Sequence, residues 1–346
     1  MSPKKILNNF IFFIKRYKKI SIFVFIIFFI ILFILIMSRG KVYEKDKLEY
    51  GITFSKLKAE ELGLDWRKAY IEILDELQIK KIRLSAYWNE IEEVNNQFYF
   101  DNLDWELQEA GKRDIEIILA VGGRLPRWPE CHFPSWAENI SQEEREKETL
   151  KYIEKTINRY KNNKNIIAWQ VENEPFLSSH FGECPSLNID FLDREIELVK
   201  KLDGRPIVIT DSGELSIWVP AARRADIFGT TMYRDTYSDK LKRYVHYPIR
   251  PGFFHFKKNI ADWFASPQKW IVIELQAEPW GPIPYQELKK EERDKTMNEK
   301  RFLETVEFAR LSGFREFYLW GAEYWYWEKI KNENDGIWEE AKKLFK

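Results

Sequence analysis

Between Tyr50 and Trp320, short apolar runs alternate with amphipathic stretches of helical period, and this alternation restricts the chain to βα units around a parallel sheet. The runs are Gly51 to Phe54, Lys81 to Ser85, Ile115 to Val121, Ile166 to Val171, Pro206 to Thr210, Ile227 to Met232, Trp270 to Ile273 and Glu316 to Trp320. Eight such strands close a (β/α)8 TIM barrel, a fold that commonly uses about 250 residues or more as one unit. Residues 50–346 are therefore expected to form a single α/β domain. A doubly wound open sheet uses the same units, but no glycine-rich phosphate loop follows the first run to favour it. Helix signals fall where the barrel needs them. Asp65 can cap a helix burying Trp66, Tyr70, Leu74 and Leu77, and Ser141-Gln142-Glu143-Glu144 fits a capping box before a stripe of Leu150, Ile153, Ile157 and Tyr160. A helix through Phe302, Leu303, Val306 and Ala309 runs toward Gly313, a fitting residue for its C-terminal cap.

Ahead of this domain, Ile20 to Met37 is almost wholly Ile, Phe, Leu and Val, which reads as one transmembrane helix over 20–37. Lys4, Lys5, Lys15, Arg16, Lys18 and Lys19 precede it, so residues 1–19 form a basic cytoplasmic segment under the positive-inside rule. Residues 38–49 are a short polar tether, and the following domain is expected on the extracytoplasmic side of the cell membrane. A cleaved signal peptide competes, but Ile34-Leu35-Ile36-Met37 has no small-residue cleavage site. Overall charge gives no preference for nucleic acid, because 55 Lys and Arg balance 55 Asp and Glu. Cys131 and Cys184 are the two cysteines, and outside the cytoplasm they can pair or stay as free thiols. His132, His180, His246 and His255 show no metal-ligand spacing, and no cofactor is implied.

In a barrel, chemistry gathers on the loops after the strands. Ile166 to Val171 is followed by Glu172-Asn173-Glu174-Pro175, and Pro175 cannot extend a sheet ladder, which leaves Glu174 on the rim. Glu274 follows Trp270-Ile271-Val272-Ile273 in the same manner. The fourth and seventh strands stand nearly opposite in an eight-stranded ring, so the two carboxyls can meet over its axis. Cleaving a glycosidic bond needs such a pair, with retention of configuration when the gap is about 5 Å. Glu278 also precedes a proline and is a rival to Glu274, but it falls past the strand. Glu172 shares strand parity with Glu174 and is expected to point inward one layer deeper, in a hydrogen-bonding role.

Asn173-Glu174-Pro175 and Ile271-Val272-Ile273-Glu274 resemble the motifs of clan A of the glycoside hydrolases, retaining (β/α)8 enzymes, over roughly residues 50–340. The resemblance implies Glu174 as acid/base, Glu274 as nucleophile and Asn173 as a donor to the sugar 2-hydroxyl. It also implies Arg83 and Tyr233 as partners of the nucleophile, and Trp320, or alternatively Trp325, beneath the sugar. Trp88, Trp128 and Trp280 are further candidate sugar platforms, since indole faces suit the apolar faces of pyranose rings. Gln170-Val171-Glu172-Asn173-Glu174 is similar to the β-galactosidase-type families, whereas Pro175 matches cellulase- and mannanase-like ones, and Gly122-Gly123-Arg124 lacks a histidine seen in several families. The expected function is a membrane-anchored retaining hydrolase of a β-linked saccharide. A non-catalytic carbohydrate-binding barrel and an envelope scaffold are the alternatives.

Overall fold

The computed structural model describes residues 18–39, 42–177, 182, 184–185 and 188–346. The basic residues Lys4, Lys5, Lys15 and Arg16, and His180, lie outside the described residues. Eight parallel strands close the barrel: β1 (Glu49–Thr53), β2 (Lys81–Ser85), β3 (Glu116–Val121), β4 (Ile166–Val171), β5 (Ile207–Asp211), β6 (Ile227–Met232), β7 (Lys269–Gln276) and β8 (Glu316–Trp320). Each pairs with its neighbours in sequence, and β1 meets β8 with Thr53 opposite Trp320.

β1 and β7 start before their apolar runs, at Glu49 and Lys269, β3 and β5 start one residue after theirs, and charged residues plug the barrel floor. Lys81 Nζ lies 3.1 Å from Glu49, 2.6 Å from Glu116 and 3.3 Å from Glu316, so residues from β1, β2, β3 and β8 neutralise one another there. Above this plug, Ile118, Ala168, Val208, Ile271, Ile273 and Tyr318 fill the interior. Burying an Ile or Val side chain in such a layer contributes about 1.5–3 kcal/mol, which is why the inward positions are apolar until the rim. β7 runs on to Gln276, so Glu274 stands inside the strand end rather than at its tip.

Asp65 caps the helix Trp66–Leu77 through the backbone N–H groups of Arg67 and Lys68, and Ser141 caps Gln142–Tyr160 through that of Glu144. Two expected faces are rotated slightly. In Gln142–Tyr160 the buried stripe is Thr149, Tyr152, Ile153, Thr156, Ile157 and Tyr160, with Leu150 half-buried. In Glu299–Arg310, Phe302, Thr305, Phe308 and Ala309 face the barrel while Leu303 is exposed. An antiparallel hairpin, Asp235–Ser238 with Arg243–His246, follows β6 and had no clear periodic signal.

The apolar N-terminal segment is a helix, Lys18–Met37, whose side chains from Ile22 to Ile36 are all exposed. Its charge-free part, beginning at Ile20, measures about 27 Å, at the short end of what a hydrocarbon core of about 30 Å requires. Among the described residues no helix is long and apolar enough to cross a membrane. The transmembrane span is therefore not established by the structure. The end of the helix touches Pro251–Asp262, where Asn259 donates to the carbonyl of Met37 at 2.8 Å and Phe33 lies edge-on to Phe256.

Candidate active site

Arg83, on β2, holds the centre of the barrel mouth. Its Nε donates to Gln170 Oε1 at 2.8 Å, Nη1 to Glu274 Oε1 at 2.7 Å and Nη2 to Asn173 Oδ1 at 2.6 Å. One fully buried guanidinium thus fixes Gln170 on β4, Asn173 just beyond it and Glu274 on β7. The second oxygen of Glu274 accepts from the Tyr233 hydroxyl at 3.0 Å. Burial, then the charges of Glu274, Glu174 and Glu278, hold the Tyr233 phenol well above its ordinary pKa, so it stays a donor. Glu274 accordingly has the donor complement of a carboxylate anion.

Glu174 has the opposite surroundings. Its backbone turns to φ 43°, and its N–H donates to Thr210 Oγ1 at 2.8 Å. Loss of solvent, followed by the charges of Glu274, Glu130 and Asp211, pushes its carboxyl well above the usual range, against a smaller opposing effect of Arg124. A carboxyl raised by burial and like charges is a proton donor near neutrality.

Glu172 departs from its expected direction. Its φ of 58° ends the strand alternation, and the carboxylate turns outward between the third and fourth loops, accepting from the N–H groups of Gly123 (2.7 Å) and Arg124 (2.6 Å). The expected hydrogen-bonding role is met there, but not one layer deeper in the barrel. Gly122 makes room for it: φ is 130°, and a Cβ at this position would lie 2.3 Å from Glu172 Oε1.

The tryptophans divide. Trp320 lies at the rim with its Nε1 donating to Glu278 at 2.8 Å, and the Arg127 guanidinium covers one face at 4.1 Å from the ring centre. Trp280 packs edge-on to Tyr233 at 5.3 Å, and Trp128 projects into solvent, 68% exposed. Trp325 is not a sugar platform. It is wholly buried, donates to the carbonyl of Ala277 and packs against Phe302, because its helix, Ala322–Lys331, turns that face toward the core. Trp88 is likewise core, bonded to Glu92 and stacked on Tyr152. Cys131 and Cys184 form a disulfide with Cα atoms 5.4 Å apart, which joins the loops after β3 and β4.

Two functional residues carried no periodic or motif signal, Arg127 and Glu130. Both belong to a strap after β3 closed by the Arg124–Cys131 bridge, and both have positive φ, 85° and 74°. Glu130 accepts from Asn173 Nδ2 at 3.3 Å, and burial followed by the charge of Glu274 raises it to about 7, although Arg124 counteracts. Glu130 therefore adds negative charge beside Glu174 as pH rises. Replacing it by Gln is expected to lower the Glu174 pKa and to move the basic limb of the kcat/KM profile to lower pH, by roughly one unit. An unmoved limb in a pH series with an aryl glycoside would remove Glu130 from this role.

The arrangement is that of a paired-carboxylate site, and the chain is similar to several known proteins. The family model described as cellulase, glycosyl hydrolase family 5, matches residues 53–221. The β-galactosidase BgaA of Clostridium cellulovorans is 23% identical over 239 residues, 61% of this chain and 35% of that protein, so the chain spans about a third of the length of that curated relative. Among solved structures, a β-galactosidase from Bacillus circulans sp. alkalophilus aligns with TM-score 0.56 at 12% identity, over 86% of this chain and 55% of the other. Xylanase 10B from Thermotoga maritima aligns with TM-score 0.54 at 12% identity, over 81% and 84%.

Proposed function

We propose that this member of glycoside hydrolase clan A is a membrane-anchored, outward-facing enzyme that cleaves a β-linked oligo- or polysaccharide with retention of configuration. The observation that carries the reading is the inequality of two glutamates at the ends of nearly opposite strands: Glu274 receives Arg83 and Tyr233, while Glu174, half-buried, stands among negative charges. In the first step a Glu274 oxygen bonds to the anomeric carbon as the bond from that carbon to the leaving oxygen breaks, and Glu174 transfers its proton to that oxygen. In the second, Glu174 takes a proton from water, whose oxygen displaces Glu274 from the same carbon. Asn173 Oδ1 is engaged by Arg83 and its Nδ2 donates one proton to Glu130, which leaves the other Nδ2 proton for a substrate hydroxyl.

Anchoring rests on the apolar helix Lys18–Met37, whose bare surface suits lipid better than water. The full chain in detergent, screened on aryl β-galactosides, β-xylosides, β-glucosides and β-mannosides, should cleave at least one and leave the α-anomers intact. Proton NMR should show the β-sugar as first product. An α-sugar appearing first would replace retention by inversion, and a folded protein inert on every glycoside would favour a carbohydrate-binding role. Alkaline carbonate washing of membranes should leave the protein in the pellet; release would overturn the anchor.

A further inference from the structure

The strap after β3 does more than carry Glu130. Arg127, on the same strap, reaches Glu278 in the loop after β7 at 2.5 Å and Glu323 in the first turn of the helix Ala322–Lys331 after β8 at 2.7 Å. In the strand order of the barrel, the way from β3 to β8 passes over the ends of β2 and β1. The loops beneath are fastened to it. The Tyr87 hydroxyl, after β2, donates to the carbonyl of Pro126 at 3.0 Å and lies 2.8 Å from Ser55 Oγ, after β1. The Ser55 N–H donates to Glu323 at 2.6 Å, and Tyr285 bonds Glu278 at 3.4 Å. Arg127, Glu278 and Glu323 are each buried, so this is a packed wall rather than a loose surface pair.

The wall stands on a defined side of the reaction. On the hydrolase reading Glu174 touches the leaving oxygen, which puts the departing part of the substrate on the side of β4 and the sugar attacked by Glu274 on the side of β8, where Trp320 stands. Arg127 already covers that tryptophan at 4.1 Å. Resting on the hydrolase reading above, we propose that the enzyme is exo-acting: the Arg127–Glu278–Glu323 wall ends the site after one sugar, so single units leave from the non-reducing end. A terminal hydroxyl can bond the wall's carboxylate oxygens, whereas an internal unit would direct its next sugar into the ion pairs.

The test uses the full chain in detergent, a β-linked tetrasaccharide, the parent polysaccharide, and an aryl disaccharide whose terminal sugar is blocked by a cyclic ketal. Expected are a monosaccharide and a trisaccharide as first products, unchanged polysaccharide viscosity, and no cleavage of the blocked substrate. Disaccharide as the first product, falling viscosity or cleavage of the blocked substrate overturns exo action and leaves the hydrolase reading intact. Failure on the aryl monoglycosides as well overturns both. Arg127→Ala should raise the rate on the blocked substrate relative to the unblocked one by at least about tenfold, the scale of a single steric contact. Arg127→Lys, which keeps a charge between the two glutamates, serves if the alanine variant does not fold. A ratio unchanged in a folded variant removes the wall from substrate selection.

Discussion

Replacing Glu274 by Gln should lower kcat/KM on any aryl glycoside substrate by about four orders of magnitude or more, the scale seen when a covalent nucleophile is removed. Gln is the informative choice because Arg83 and Tyr233 both donate to this side chain, and an amide oxygen preserves one acceptor for them. Alanine would leave the wholly buried Arg83 charge with only the neutral oxygens of Gln170 and Asn173, a change that typically costs about 3–5 kcal/mol. Circular dichroism and a melting curve for both variants separate lost chemistry from lost folding. With Glu274→Ala and a dinitrophenyl β-glycoside, added azide should enter from the vacated side and yield the α-glycosyl azide. Wild-type rates in a folded variant would move the nucleophile elsewhere, with Glu278 the first to examine.

Glu174→Ala should separate substrates by leaving group. A sugar or alkyl aglycone departs poorly without protonation, so its kcat/KM should fall about 10²–10⁴-fold, the usual contribution of general acid catalysis. A dinitrophenolate needs no proton, so its kcat/KM should change little, while kcat falls because water no longer has a base in the second step. The basic limb of the pH profile should vanish, because the group raised by burial and by Glu274, Glu130 and Asp211 is gone. Azide should now give the β-glycosyl azide, the opposite anomer to that from Glu274→Ala. Equal losses on both leaving groups would argue for a positioning role at this rim residue.

What could be read from sequence follows the physics of each element. Buried strands announce themselves because both faces are covered, and the eight apolar runs placed Glu174 and Glu274 at the ends of β4 and β7, while Arg83 and Tyr233 came from the resemblance to clan A. Direction beyond a strand end was not legible. Glu172 was expected to keep its parity, but a positive φ turns it outward. Trp88 and Trp325 were expected among the sugar platforms, yet indole burial depends on which face of a short helix meets the core, and Trp325 sits in Ala322–Lys331, where apolar and polar side chains show weak segregation. Arg127 and Glu130 lie in a strap without periodicity, and their importance comes from partners 151, 196 and 43 residues away. The cysteines gave a hint of that strap, since Cys131 follows Glu130 directly.

The three-way grip of Arg83 on Gln170, Asn173 and Glu274 makes the reactive centre and the barrel one cooperative unit. A structure of this kind has no independent way to soften its chemistry while keeping its shape: separating β2 from β4 or β7 strands a charge in a desolvated interior. Thermal inactivation and global melting should therefore coincide, with no warm, folded and idle state between them. Gains in heat tolerance are accordingly best sought in the outer helices, whose packing can be tightened without disturbing the shared guanidinium.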